Sequence, residues 1–492
     1  MGSVKLVGAV KRVLALALLM SAGFLGGCST FTKKDPKVNL GRIYDDAAQS
    51  PDFLRNPVIV IPGLLGSKLT DSVTGKSVWG VFDDNYVDLN KAKNYPLVAL
   101  PMVQKSPGRI SHRAVPNGAM TSLKFRAAGV PLELQAYGGI LKTLGVGGFR
   151  DSSLGKADIN WDKEHFTCFQ FDYDWRLSCV QNARRLDDFI REKKAYVQAR
   201  SRAIYGKSRP DLKFNLVAHS MGGLIARYYL RYGGQPMPAD GSAPRLSWAG
   251  ARHLEQVVLV GTPNSGSVSV FRDLLEGKEF VSEWKRRLFD ISLPNLPAGV
   301  LGTFPSLYEL LPRARHRPVL NAQTNEPLDH LDPELWRRQK WGLLGDKEQE
   351  VRERLLPNAK PSQRAIQAYK TTALLLKNAE QFHRALDRPA KLPSGLKLSL
   401  IAGDAKETPR QLKVDLSSNE LIDNDYRPGD GIVLRSSALA DERAGQKEKR
   451  LPPLQSPLRF DQVTFLNQGH LEITRDPGFT DNLLWKLLEQ PR

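Results

Sequence analysis

Short runs of apolar, mostly β-branched residues punctuate the chain. The first, Pro57-Val58-Ile59-Val60-Ile61, is unbroken and stops at Pro62-Gly63, as expected for a strand covered on both faces of a parallel sheet. Similar runs recur at 166–171, 214–218, 256–260, 396–402 and 462–466. Helical spacing falls between several of them. Val180, Ala183, Leu186 and Ile190 step by three or four behind a cap at Ser178, and residues 224–230 belong to a helix stopped by Gly233-Gly234. Strands alternating with helices predict the α/β class, with a mostly parallel central sheet. Two stretches, 65–150 and 263–395, are too long for ordinary connections and predict caps or lids. The second places Ile366, Tyr369, Ala373, Leu376, Ala379 and Leu386 on one helical face, capped by Ser362 and ended before Pro389. That pattern predicts a core-facing cap helix. There is no internal repeat and no low-complexity tract.

Composition agrees with a large soluble core. The 492 residues are 41% hydrophobic and 25% charged, which disfavours collagen-like, disordered and polytopic membrane chains. A net charge of +19 suits an anionic partner, either nucleic acid or a lipid surface. The N-terminus narrows that choice. Lys5, Lys11 and Arg12 precede an uncharged stretch at 13–24, the layout of a secretory signal and too short to span a bilayer. It runs into Leu25-Gly26-Gly27-Cys28, which resembles the lipobox of bacterial lipoproteins, with Cys28 lipidated and Ser29 implying the outer membrane on its periplasmic or cell-surface side. Myristoylation does not fit, because Leu6 stands where Ser or Thr is needed. The chain then divides into a signal peptide at 1–27, a tether at 28–56, a first core part at 57–262 carrying the 65–150 cap, a lid or cap at 263–395, and a second core part at 396–492. Three cysteines are too few for a disulfide scaffold and lack zinc-site spacing. No metal or cofactor is expected.

The segment richest in chemistry is Asn215-Leu216-Val217-Ala218-His219-Ser220-Met221-Gly222-Gly223. It follows an expected strand and opens an expected helix, the setting of a nucleophile elbow, with Ala218 in place of the first glycine of G-x-S-x-G. A serine hydroxyl needs a base to take its proton and an acid to orient that base. In an α/β-hydrolase the chain order is serine, acid, histidine. Of eight histidines, His470 alone lies beyond the last plausible strand-end acids. His219 adjoins the serine, but successive side chains in a tight turn point apart, so it is expected to pack beside the elbow. Two acids compete: Asp430 in Gly429-Asp430-Gly431, and Asp404 after the strand at 396–402. Backbone N–H groups of Leu64 and Met221 stand where an oxyanion hole is expected.

These residues resemble the lecithin:cholesterol acyltransferase family. The likeness runs through Pro57 to Leu65 with Gly66 and Leu69, Trp79, Phe171-Asp172-Tyr173-Asp174-Trp175-Arg176-Leu177, His219-Ser220-Met221-Gly222, Gly261-Thr262-Pro263, Gly266-Ser267, Phe304-Pro305-Ser306-Leu307, Gly429-Asp430-Gly431 and His470. It implies an α/β-hydrolase fold, a Ser220–Asp430–His470 triad that favours Asp430 over Asp404, Leu64 and Met221 as oxyanion donors, and a lid over an acyl pocket for lipid esters. Asp174, Trp175 and Arg176 are expected to be structural, with a buried Arg–carboxylate pair. The sequence departs from the family at Ala218, at Ile432 where threonine is common, in its lipoprotein leader, and in having no cysteine between Cys28 and Cys168 for a tryptophan-bearing disulfide loop.

The resulting expectation is a lipid-acting serine hydrolase or O-acyltransferase, with a lipid ester substrate and a membrane surface as partners. A generic secreted triacylglycerol lipase or carboxylesterase, and a non-catalytic lipid-binding lipoprotein, are the alternatives. Nucleic acid is not an expected partner, since no recognition motif accompanies the charge. Cys168 and Cys179 flank the Asp-Tyr-Asp-Trp-Arg segment in an exported chain and are expected to form a disulfide. Two free buried thiols are the alternative, if the geometry holds their Cα atoms too far apart.

Overall fold

The computed structural model describes residues 43–49, 53, 55–82, 84–102, 113–151, 166–445 and 453–490. The expected leader at 1–27, Cys28 and most of the expected tether lie outside the described residues. The apolar runs assemble into six parallel strands: β1 (Val58–Ile61), β2 (Cys168–Gln170), β3 (Phe214–His219), β4 (Leu254–Val260), β5 (Lys397–Gly403) and β6 (Gln462–Leu466). Their order in the sheet is β6-β5-β4-β3-β1-β2. The six-residue run at 166–171 contributes three strand residues.

Burial on both faces explains the unbroken β-branched pattern. Val58 and Val60 of β1 pack with Ile140, Leu141 and Leu144 of helix α1 (Gly138–Val146) and with Phe479 and Leu483 near the C-terminus. Ile59 and Ile61 face the opposite layer, with Ala183, Leu186 and Ile190 of α2 (Cys179–Tyr205) and Leu224 and Ile225 of α3 (Met221–Tyr232). Each fully buried aliphatic side chain of this kind contributes about 1.5–3 kcal/mol. Helix α2 starts where the sequence places its cap: Ser178 accepts from the Gln181 N–H, and Gln181 closes the box by accepting from the Ser178 N–H. Helix α3 ends at Gly233 with φ 60°, a value that favours glycine.

The expected disulfide is corrected. Cys168 and Cys179 are both free and buried. Cys168 belongs to the core layer of α1, whereas Cys179 opens α2 in the opposite layer, so the sheet separates the two side chains. Burial pushes both thiols well above their ordinary acidity range, which leaves them inert.

The two long insertions are structured in different ways. The first builds two small three-stranded sheets, one from Ser67–Asp71, Ser77–Trp79 and Ala114–Ala119, the other from Val81–Phe82, Ser122–Ala127 and Val130–Gln135. Helix α1, inside the expected cap boundary, returns to the central sheet. The second insertion is largely helical and ends in α4 (Pro361–Asp387). Its N-cap is Lys360, not Ser362, because Pro361 supplies the first helical residue without needing an N–H partner. Ile366 is 55% exposed, whereas Leu376, Ala379 and Leu386 are buried as expected. The helix faces the core in its later turns, where Arg227 and Tyr232 of α3 donate to the terminal carbonyls of Leu386 and Ala385. Val319–Asn321 of the same insertion pairs with the hairpin Lys406–Val414 and Leu421–Gly429. That hairpin carries the chain from β5 to Asp430.

Candidate active site

Parallel strands put their C-terminal loops on one edge of the sheet, the usual place for a ligand in open α/β folds. Ser220 leaves β3 there with φ 53° and ψ −127°. A non-glycine residue held at such a value costs roughly 1–3 kcal/mol. The crowding around it explains the small residues of the motif. A Cβ on Gly222 would lie 2.5 Å from the Pro62 carbonyl oxygen, and one on Gly223 would lie 2.0 Å from Thr262 Oγ1. The Ala218 methyl is itself fully buried.

Loops after β5 and β6 bring the partners. His470 Nε2 lies 2.9 Å from Ser220 Oγ, and His470 Nδ1 lies 2.7 Å from Asp430 Oδ2. Because a carboxylate only accepts, Nδ1 carries the proton and Nε2 is left to accept from the serine hydroxyl. The second carboxylate oxygen, Oδ1, accepts the N–H groups of Ile432 and Val433 at 3.0 and 2.7 Å. Gly431 adopts φ 91°, and a Cβ on Gly429 would fall 2.4 Å from the Val433 carbonyl oxygen. Both glycines are therefore needed to fold the loop back onto its own aspartate. The competing acid, Asp404, pairs instead with Arg435.

Leu64 lies in the loop after β1, beside the nucleophile: a Cβ on the preceding Gly63 would stand 2.7 Å from Ser220 Cβ. Met221 is the first residue of α3, so its N–H has no intrahelical acceptor. The loop carrying Leu64 is held by three of the motif aromatics. Tyr173 Oη donates to the Pro62 carbonyl at 2.8 Å, Trp79 Nε1 to Leu65 at 3.0 Å, and Trp175 Nε1 to Ser67 at 3.1 Å. Ser306 of the Phe-Pro-Ser segment donates in turn to the Trp175 carbonyl at 2.6 Å. Asp174 and Arg176 form the expected buried pair, at 2.7 Å with both side chains fully covered.

Ser220 and His470 line a cavity of 620 Å³ whose walls include Leu64, Trp79, Phe280, Phe304 and Leu307. Arg272, Asp273 and Lys278 give one wall a polar edge, with Lys278 2.9 Å from Asp273. A larger cavity of 1020 Å³ lies elsewhere, around Arg317, Arg410, Arg427, Arg435 and Arg443. Most of that charge is tied up in pairs with Asp404, Asp425 and Asp441, and no serine–histidine pair lines it. Among the described residues, no group of three or more His, Cys, Asp or Glu side chains is placed to hold a metal ion, and no helix is long and apolar enough to cross a membrane.

His219 packs beside the elbow. Its Nε2 lies 3.0 Å from the His470 carbonyl oxygen and its Nδ1 3.3 Å from Tyr137 Oη. Burial pushes its pKa down to about 3. Sequence reasoning missed Tyr137, which lines the cavity and sits in the first insertion. No local motif marks it.

The parallel sheet, the strand-to-helix serine turn and the order serine, acid, histidine together define an α/β-hydrolase fold. The lecithin:cholesterol acyltransferase family model matches residues 161–330, so the family likeness read from the motifs holds over the stretch that contains Ser220. The solved structure described as the Tle4–Tli4 complex is similar with a TM-score of 0.54 at 15% identity, covering 90% of this chain and 100% of that one. Lipase 1 from Pelosinus fermentans gives 0.34 at 13% identity, covering 89% of this chain and 100% of that one. EstA from Clostridium botulinum gives 0.32 at 12% identity, covering 95% and 93%. The fold assignment rests on the first of these and on the sheet topology. No curated protein matches the chain.

Proposed function

We propose that this chain is a lipid-ester acyl hydrolase or O-acyltransferase acting through Ser220, His470 and Asp430. The observation that carries the reading is the hydrogen-bonded line of these three side chains in the wall of a mostly apolar cavity. Ser220 Oγ attacks the ester carbonyl carbon while its proton passes to His470 Nε2, and Asp430 holds the Nδ1–H of the imidazolium. The N–H groups of Leu64 and Met221 bind the oxyanion; losing one such donor typically costs about 2.7–4 kcal/mol of transition-state stabilisation. As the carbon–oxygen bond of the ester breaks, His470 returns the proton to the departing alcohol, leaving an acyl-serine. Water or a second alcohol then attacks that acyl carbon, loses its proton to His470, and Ser220 regains a proton as it leaves. Hydrolysis and transfer differ in the second nucleophile alone.

The family likeness supports a lipid as the acyl donor, and the cavity's leucine, tryptophan and phenylalanine walls suit an acyl chain. Incubating the protein with a phospholipid, with and without an added long-chain alcohol, tests the reading through its products. Free fatty acid alone identifies a hydrolase, and an alcohol ester identifies a transferase. Unchanged turnover in Ser220→Ala overturns the serine mechanism, and no turnover together with no labelling of folded protein by a fluorophosphonate favours a binding module.

The same proposal includes location: export, lipidation of Cys28 and attachment to the outer membrane. The leader and the lipobox-like Leu25-Gly26-Gly27-Cys28 support it, and more than one acyl chain makes such an anchor stable. Cys28→Ala is expected to release the protein from the membrane fraction. Unaltered membrane retention of that variant sinks the anchor.

A further inference from the structure

A buried polar chain runs behind the nucleophile, and each of its hydrogen bonds has one possible direction. The His470 carbonyl oxygen can only accept, so His219 Nε2, 3.0 Å away, carries a proton and donates. His219 is fully buried and its neutral form is strongly favoured, so Nδ1 is bare and accepts from the Tyr137 hydroxyl at 3.3 Å. The Gly63 N–H donates to that same hydroxyl oxygen at 2.9 Å. One line therefore joins the loop that carries Leu64 to the backbone of the loop that carries His470, passing beneath Ser220.

The surroundings keep this line in place. Tyr137 is the N-cap residue of α1, and the helix touches the histidine loop at Gly139, where a Cβ would lie 2.6 Å from the Thr474 carbonyl oxygen. The phenol ring leaves no room for a side chain at Gly66, whose Cβ would sit 2.5 Å from Tyr137 Cε2. The imidazoles of His219 and His470 lie 4.8 Å apart between centroids. A charged His219 at that distance would oppose the imidazolium that His470 becomes during acyl transfer. A neutral ring that donates to the backbone supports the loop without that penalty.

We infer that Tyr137 and His219 are positioning residues that hold the oxyanion loop and the His470 loop in one register, so that donor and base reach the ester together. The inference rests on the hydrolase reading proposed above. Neither residue exchanges a proton with substrate; both act through Gly63–Leu64 and through the His470 backbone.

The test is the steady-state hydrolysis of a soluble p-nitrophenyl ester by the full chain, with thermal unfolding followed on the same samples. Wild type turns over and Ser220→Ala does not; equal turnover by Ser220→Ala removes the Ser220 mechanism on which the inference rests. Given that control, Tyr137→Phe is expected to lower kcat about 10–100-fold with little change in KM, the scale on which small misplacements of reacting groups act. His219→Ala should lose at least as much. His219→Gln, whose amide can still donate to the His470 carbonyl, should recover much of that loss. If Tyr137→Phe unfolds early, the Ala and Gln variants at His219 carry the test instead. Wild-type kcat in a folded Tyr137→Phe, or Gln no better than Ala at His219, overturns the positioning role while leaving the hydrolase reading standing.

Discussion

Asp430 and Asp174 are both buried and each lies 2.7 Å from a nitrogen partner, His470 Nδ1 and Arg176 Nη2 respectively. What differs is where the far end of the partner points. Arg176 spends its donors on Asp174 and on the Val98 and Ala114 carbonyls of the first insertion, at 2.9 and 2.8 Å, tying that insertion to the core. His470 turns its second nitrogen toward Ser220 and the cavity. In the proposed mechanism the buried pair that does chemistry is the one whose far nitrogen meets a hydroxyl at a cavity wall. When every donor is consumed, it is a strut.

Breaking each pair should therefore cost a different quantity. Asp430→Asn keeps the shape but favours the wrong imidazole tautomer, and kcat is expected to fall by about 10⁴-fold. Its urea midpoint should stay near that of wild type; a small loss of kcat would make Asp430 the strut. Arg176→Met strands a fully buried carboxylate and should destabilise the fold by about 3–5 kcal/mol. The kcat of the protein that remains folded should change little, as active-site titration would show.

Glu309 sharpens the contrast from a third direction. It is a buried carboxyl that accepts from the Cys179 N–H at 2.6 Å, and burial raises its pKa from 4.5 to about 8. Between those values the unfolded chain has lost a proton that the folded chain keeps, so stability falls as pH rises through the window. Glu309→Gln removes that dependence, making the variant the more stable form at pH 8 by roughly 1 kcal/mol or more per pH unit traversed. Parallel denaturation curves at pH 5 and pH 8 for the two proteins would contradict this. The smallest effect belongs to Asp404→Asn. Its partially exposed pair with Arg435 contributes at most about 1 kcal/mol, and the variant's kcat should match wild type. A large loss there would reopen the choice of acid.

Much of this was legible in the chain. Unbroken runs such as residues 57–61 announce strands covered on both faces, and Ser178 with Gln181 announces the start of α2. Gly222, Gly223, Gly429 and Gly431 mark backbone that has no room for a side chain or needs a positive φ. The failures have physical causes too. A disulfide between Cys168 and Cys179 looks natural at a separation of eleven residues, but sequence distance says nothing about which face of the sheet each thiol takes. The face of α4 expected to meet the core does so at Leu376, Ala379 and Leu386, whereas Ile366 near its start is exposed, because periodicity marks a face but not how far along the helix the neighbouring elements cover it.

The sequence by itself determined the parallel α/β architecture and pointed to Ser220 and His470, because strand patterning and turn glycines are local requirements written into adjacent residues. For the acid it left Asp430 and Asp404 in competition, with Asp430 favoured only by the family resemblance. Tertiary structure decided the rest. It separated Asp430 from Asp404, drew Tyr137 out of an unremarkable insertion to lie between Gly63 and His219, and left the cysteines unpaired. Each of those outcomes depends on contacts between residues dozens to hundreds of positions apart, which are fixed only when the layers close on the sheet.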